Sequence, residues 1–406
     1  MDLVGTRLLR GEVDLQLRPQ AFRVLRLLVQ NAGRLVTYAQ LIDEAWDRTS
    51  VSKHTIAVTL SEVKLALGEC GCWITCRSKF GYSLEIPDSE NLIRAGMHFR
   101  NQFTGTGFEN ALTRFQRAAL NGTADFRALE AVASTQLNLA AFLLRPARDL
   151  YPEFLQAYER AVALRGLTID LKVDHGFGLY IFEGDLPGAE EELLEAQRQR
   201  PASAELNARL AMVYAAEGRL DAALDLMRKP TEIDLLQPAV AFAESVVRLF
   251  RREFDLAIAC GKDALSLHPG TPFGRVHYAE ALEHAGYHDQ AVREYQIAGA
   301  LSLEAPWIRA QGARFLARIG RKEEASKTLL ELQQDRAIHY VDAYHLALLL
   351  FALGKRHEAF QELERAYQER SCQLLIMDVD PKADPLREDC HFAAFHAKVR
   401  QRVRCA

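Results

Sequence analysis

Lys53, Ala57, Ser61 and Lys64 recur at spacings of four and three, with His54 beside Lys53. On a helix these residues would share one face, a mixture of small, polar and cationic side chains. Such a face can donate and accept hydrogen bonds and fits a groove such as the major groove of DNA. The opposite face would hold Ile56, Leu60, Val63 and Leu67, at the spacing of a buried helical stripe. Ser52 stands where an N-cap belongs, and Gly68 where a left-handed residue ends the helix. Two further cations, Arg77 and Lys79, fall between the strand-like runs 73–76 and 82–86.

Other residue groups have types that could carry chemistry. Cys70, Cys72 and Cys76 form a C-x-C-x3-C cluster to which His54 could add a fourth ligand. No second C-x-x-C or H-x-x-H knuckle completes a zinc spacing, so they read as ordinary strand and loop cysteines. Asp378 and Asp380, like the run Glu190 to Glu192, read as solvated helix faces, because nothing marks a substrate cleft. The sequence has no G-x-x-x-x-G-K-[ST] loop, no G-x-S-x-G elbow and no H-E-x-x-H helix. The expectation is a protein without enzymatic activity, cofactor or metal.

The elements that would position the first face are readable in order. Leu8 and Leu9, a turn at Arg10-Gly11-Glu12, and Val13 to Leu17 read as a hairpin. A helix then begins at Pro19, buries Phe22, Leu25, Leu28 and Val29, and ends at Gly33. Thr37 and Gln40 have capping-box spacing ahead of a second helix with Leu41, Ile42, Ala45 and Trp46. The polar-faced helix is third, and a second hairpin follows.

Hairpin, three helices, hairpin is the order of a winged helix. The stretch LRPQAFRVLRLLVQNAGRLVTYAQLIDEAW is similar to the start of the DNA-binding domain of OmpR/PhoB-type regulators, and WITCRSKFGYSLEI resembles its closing wing. The resemblance covers about the first 88 residues. It implies that His54, Thr55, Ala57, Val58, Ser61 and Lys64 face bases or nearby phosphates, and that Arg77 and Lys79 sit on the wing. Lys53 completes this DNA-facing set. The family usually ends its third helix with arginines, whereas this chain has Ser61 and Glu62 there, which thins the phosphate-neutralising contribution. The family's four-stranded N-terminal sheet also has room here for only about two strands.

From residue 91 the pattern becomes continuous helix. Ala189, Ala223, Ala257, Ala291, Ala325 and Ala359 lie 34 residues apart, and five residues before each stands Gly184, Gly218, Arg252, Gly286, Gly320 or Gly354. That period, with glycine at the turn and alanine at a close helix contact, is the one of tetratricopeptide repeats. Leu193, Met227, Tyr295, Leu329 and Leu363 supply larger buried side chains, and Pro201 and Pro269 end helices at one phase. Residues 110–120 and 154–164 repeat the spacing less regularly, with Thr104 to Gly107 and Asn121 to Thr123 as turns. Pro87 to Asn91 is the linker candidate. The tail from Leu374 resembles the segment that closes the array in repeat-bearing winged-helix regulators, which makes Cys390, His391 and His396 part of a cap rather than metal ligands. The run Lys398 to Arg404 reads as a frayed basic tail with non-specific nucleic-acid affinity.

Composition agrees with a soluble globular chain. Residues 1–86 hold 11 Lys and Arg against 9 Asp and Glu, a balance of +2 within a chain of net charge −4. Electrostatics alone therefore does not announce nucleic acid. There is no apolar run of membrane-spanning length, no signal-peptide core, and seven scattered cysteines, which point to the cytoplasm. The expected architecture is mainly α: a winged helix over 1–88 (α+β), then an α-solenoid over 92–400 of about eight tetratricopeptide-like pairs. The combination resembles HilA-type regulators. It implies double-stranded DNA as one partner and, through the solenoid, a protein such as RNA polymerase or a regulatory protein, or a second copy of the chain. The alternative is an adaptor whose degenerate winged helix no longer binds DNA, and a neutral helix–wing face would favour it.

Overall fold

The computed structural model describes residues 8–10, 13–15, 17–85, 88–120, 125–227, 235, 237–302 and 305–403. The chain divides into two compact units, one comprising 1–94 and 116–125, the other 95–115 and 126–406.

In the first unit, β1 (Leu9–Arg10) pairs antiparallel with β2 (Val13–Asp14), and α1 (Pro19–Gln30) follows with proline in its first turn. Gly11 and Glu12 lie outside the described residues. The helix buries Ala21, Phe22, Val24, Leu25, Leu27 and Leu28. Val29, expected in that stripe, is 44% exposed, because 100° per residue carries it past the edge set by Leu25 and Leu28. The helix closes on Asn31, and Gly33 follows with φ 77° in the turn beyond. β3 (Leu35–Thr37) leads into α2 (Tyr38–Ala45), where the expected capping box forms: Gln40 N–H donates to Thr37 Oγ1 at 3.2 Å, and Thr37 N–H donates to Gln40 Oε1 at 2.9 Å. α3 (Lys53–Leu67) lies across the core made by α1, α2 and the sheet, and β4 (Ile74–Arg77) and β5 (Gly81–Leu84) close the unit. The sheet order is β3-β5-β4, all antiparallel, with Ile74 opposite Leu84 and Cys76 opposite Tyr82. Ile86 and Pro87 lie outside the described residues. From Ser89 the chain is already helical, so the linker expected over 87–91 is shorter than its sequence suggested.

α4 (Ser89–Arg100) and α5 (Gly105–Leu120) bring the chain into the second unit. Gly105, Thr106 and Gly107, expected as a turn, form the first turn of α5, where Thr104 Oγ1 accepts from Gly107 N–H at 3.1 Å. The site is crowded: a Cβ on Gly107 would stand 2.6 Å from Phe99 O. Seven helix pairs follow among the described residues. α6 (Phe126–Ala141) packs on α7 (Ala147–Arg165), α8 (Ile169–Gly178) on α9 (Leu186–Gln199), and α10 (Ala204–Ala216) on α11 (Leu220–Leu226). α12 (Pro238–Phe250) packs on α13 (Phe254–Leu267), and α14 (Pro272–His284) on α15 (His288–Leu301). α16 (Pro306–Arg318) with α17 (Lys322–Asp335) and α18 (Ala343–Ala352) with α19 (Arg356–Gln368) complete the array.

All six repeat alanines are completely buried, which lets the two backbones of each pair approach. The five repeat glycines and Arg252 all have positive φ, between 64° and 92°. Arg252 therefore holds a conformation that costs a side-chain-bearing residue about 1 kcal/mol. Its guanidinium compensates by bridging to Asp384 at 2.6 and 2.8 Å, 132 residues away.

The tail departs from a simple end cap. Residues 372–376 and 381–383 are 3-10 turns, followed by α20 (Asp384–Arg387) and α21 (Phe392–Val403). Leu374, Met377, Leu386, Phe392, Phe395 and Val399 pack on α18 and α19, as a cap does. The same segment also folds back along the array, where Lys382 pairs with Glu280 of α14. Asp380, expected in solvent, is buried, accepting from Tyr344 Oη at 3.1 Å and pairing with Lys382 at 3.1 Å. Glu190 and Glu192 are likewise engaged, with Arg219 and His175. The basic run is not frayed through Val403: Lys398 pairs with Glu364, and Arg400 with Asp378. His396 also turns to Asp378, leaving exposed Cys390 and His391 beside the buried Asp389, which is tied to Arg356. No helix among the described residues is long and apolar enough to cross a membrane.

Candidate nucleic-acid interface

α3 begins as the sequence requires. Ser52 Oγ accepts from Thr55 N–H at 3.1 Å, and Gly68 ends the helix with φ 58°. Ile56, Leu60 and Val63 are buried and Leu67 half-buried, which seats the helix on the core. Lys53, His54, Thr55, Val58 and Ser61 are exposed, while Ala57 and Lys64 are half-buried at the edge of that face. Leu65, which sequence reasoning passed over, is 85% exposed. It continues the spacing of His54, Val58 and Ser61, so the outward face ends in an apolar side chain.

The charges around this face are mostly spoken for. Glu62 is gripped by Arg18, the N-cap residue of α1: Arg18 Nε donates at 2.7 Å and Arg18 N–H at 3.3 Å, with a further contact from Nη2. Hydrogen bonds from Arg18 hold the Glu62 carboxyl below its usual range. The carboxylate is thus neutralised within the domain. Ser61 Oγ donates to Ala57 O at 2.9 Å, which leaves its lone pairs as outward acceptors. Lys53 Nζ stands 4.8 Å from the centre of the Tyr38 ring, a cation–π contact that draws it toward α2. Tyr38 in turn meets Tyr82 edge-on at 5.9 Å, so the start of α3 is linked to β5.

In the β4–β5 hairpin, Arg77 Nη2 donates to Glu85 Oε1 at 2.7 Å, and Ser83 Oγ donates to the same oxygen at 3.0 Å. Ser83, and then Arg77, keep the Glu85 carboxyl below its ordinary value. Gly81 lets β5 lie close against β3, since a Cβ there would stand 2.0 Å from Val36 O. At the tip, Lys79 adopts φ 69° and is exposed with Ser78 and Phe80. Of the four cations expected on the helix and wing, Lys64 and Lys79 have no ion-pair partner among the described residues. Arg77 and Lys53 are engaged inside the domain. The partners responsible, Arg18, Tyr38 and Glu85, carried no local signal, because each acts across a long sequence separation or a turn.

Residues 11–84 match the family model described as "Transcriptional regulatory protein, C terminal". Over these residues the N-terminal unit is similar to the OmpR/PhoB-type domain. Over 68 residues the chain is 31% identical to the KDP operon transcriptional regulatory protein KdpE of Escherichia coli, which is 16% of this chain and 30% of that protein. The chain therefore spans less than a third of the length of this curated relative. Among solved structures, a thermophilic tetratricopeptide-repeat protein of Thermus thermophilus is 25% identical, with 48% of this chain and 99% of that one covered at a TM-score of 0.37. The human IFIT1 dimer with m7Gppp-AAAA covers 86% of this chain and 90% of its own at a TM-score of 0.51 and 16% identity, which shows the fold alone. The second unit is a tetratricopeptide-like solenoid.

Proposed function

We propose that the protein is a transcriptional activator in which residues 1–88 read DNA and residues 92–400 receive a protein partner or a second copy of the chain. The observation that carries this reading is α3: a capped helix, seated on the core by Ile56, Leu60 and Val63, with His54, Thr55, Val58 and Ser61 exposed beside the β4–β5 hairpin. His54, Thr55, Ala57, Val58 and Ser61 would lie along base edges, with Lys53, Lys64, Arg77 and Lys79 toward phosphates. Recruitment of RNA polymerase or a regulatory protein by the repeats would complete the function, since a solenoid offers a long recognition surface and no chemistry. With Lys64 and Lys79 alone, of the four expected cations, without a partner among the described residues, affinity for one site would be low and its salt dependence shallow. Self-association or tandem sites would restore occupancy through effective concentration.

A second reading is favoured by the engagement of Arg77 and Lys53 within the domain: an adaptor that keeps the fold and works through its repeats. One experiment separates the two. Genomic fragments are selected on the full chain at near-physiological salt, beside a Lys64→Ala, Lys79→Ala double variant. The regulator reading expects a common sequence that the variant loses by tenfold or more. Equal recovery by the two folded proteins would establish the adaptor.

A further inference from the structure

The second unit encloses a cavity of about 610 Å³, in the size range of small-molecule sites. It forms because the solenoid turns far enough to meet itself. Trp307 Nε1–H of α16 donates to Phe142 O at 3.0 Å across 165 residues, and Phe142 stacks on Phe273 at 4.7 Å. Phe103, Phe142, Phe242, Phe273 and Trp307 give the cavity a largely apolar wall.

Three cations reach the same space: Arg100, Arg209 and Lys382. Two of them are already neutralised. Arg209 bonds Asp174 at 2.6 Å and Glu205 at 2.9 Å, and Lys382 pairs with Glu280 at 3.0 Å and Asp380 at 3.1 Å. Arg100, at the end of α4, has no hydrogen-bond or ion-pair partner among the described residues. Burial pushes its guanidinium below the ordinary value, against the pull of Glu205 and Asp174. This half-buried guanidinium has donors free for a planar acceptor, and a carboxylate supplies one in bidentate geometry. A ligand with two negative charges would meet Glu205 and Glu280 on the same wall, so the cavity suits one charge and an apolar body.

We propose that the solenoid is a receptor for a small amphipathic monocarboxylate, its carboxylate on Arg100 and its body among Phe103, Phe142, Phe242, Phe273 and Trp307. Because the occupant would touch the closing contact between Trp307 and Phe142, binding would stabilise the closed superhelix. The assignment is independent of DNA reading. A fatty or aryl acid offers this chemistry, and so does the free C-terminus of a short hydrophobic peptide.

Titration calorimetry on the full chain distinguishes these sources, using decanoate, decan-1-ol, and a hydrophobic pentapeptide with a free or amidated C-terminus. Decanoate is expected to bind saturably, decan-1-ol at least tenfold more weakly, and Arg100→Met to lose tenfold or more for decanoate. Because Arg100 is unpaired, Arg100→Met should melt no lower than the parent. Arg100→Lys keeps the charge without the fork and should bind between the two. Tighter, Arg100-dependent binding of the free-acid pentapeptide, absent for its amide, keeps the carboxylate site and assigns it to a peptide terminus. Equal binding of decanoate and decan-1-ol, an unchanged affinity in folded Arg100→Met, or no saturable binding of either free acid would overturn the proposal.

Discussion

The N-terminal unit pairs its charges at the surface, whereas the solenoid, beside many surface pairs of its own, also buries some. In the N-terminal unit, Arg18 with Glu62 and Arg77 with Glu85 pair at the surface, where water and salt weaken them. In the solenoid, Glu283 is buried and receives Arg314 Nη1 at 2.9 Å, Arg318 Nη1 at 2.8 Å and Tyr295 Oη at 2.9 Å. Surface pairs do little for stability but decide which charges a partner meets. Buried pairs do the reverse: once made, they cannot be half-removed, because the survivor is a charge without solvent. The solenoid thus ties part of its charge into its own core, as Glu283 with Arg314 and Lys382 with Glu280 show.

The sharpest test of that contrast is Glu283→Ala. It leaves Arg314, 4% exposed, without its carboxylate and should cost about 3–5 kcal/mol by chemical denaturation. A loss below about 1 kcal/mol would mean that water reaches the pair and that depth is not what separates the units.

The next effect is pH dependence within the solenoid. Burial pushes His284, whose Nε2 has no hydrogen-bond partner among the described residues, down to about 4. Its neutral form is the folded one, whereas the unfolded residue takes up a proton near 6.5. Stability from this group is complete above about 6.5 and lost as pH falls toward 4, on the order of 3 kcal/mol in all. Glu283 adds loss in the same direction at lower pH: burial would raise its carboxyl, but Arg314 holds it below 4.5, so its contribution disappears on acidification. Replacing His284 with Phe, which can keep the stack on Phe254 (5.3 Å), should flatten stability between pH 6.5 and 4. An unchanged slope would assign that window to other groups.

The smallest effect belongs to the surface pair. Arg18→Ala should leave the melting temperature nearly unchanged while freeing the Glu62 carboxylate beside the outward face of α3. Binding to a selected DNA fragment should weaken several-fold, and Glu62→Gln added to Arg18→Ala should restore it. Unaltered affinity in the single variant would show that Glu62 lies away from the phosphates.

Much of this was legible because it is local. Caps at Ser52 and Thr37, and the stripe Ile56, Leu60, Val63, follow from hydrogen bonds and helical geometry within one or two turns. The 34-residue alternation of glycine and alanine exposed the solenoid, since each repeat must solve the same turn and the same close approach. Arg252 shows the limit of that pattern: the turn keeps its left-handed backbone without glycine, and the compensating Asp384 is 132 residues away. Val29, Thr104 to Gly107 and the basic tail depart from the sequence pattern where one residue of phase, or a distant partner such as Glu364, decides the outcome. On α3, sequence located the outward residues but not which of the cations lack a partner among the described residues.

The sequence by itself determined the two kinds of architecture, the third helix with its caps, and the repeat period, because each depends on residues near one another along the chain. Tertiary structure alone decided that Glu62 is neutralised, that Arg77 pairs with Glu85 at the surface, that the tail lies along the array, and that a cavity lined by an arginine without a bonded partner among the described residues exists. Those outcomes depend on which groups meet after long loops close. Charge pairing and desolvation are properties of that meeting, not of any segment that takes part in it.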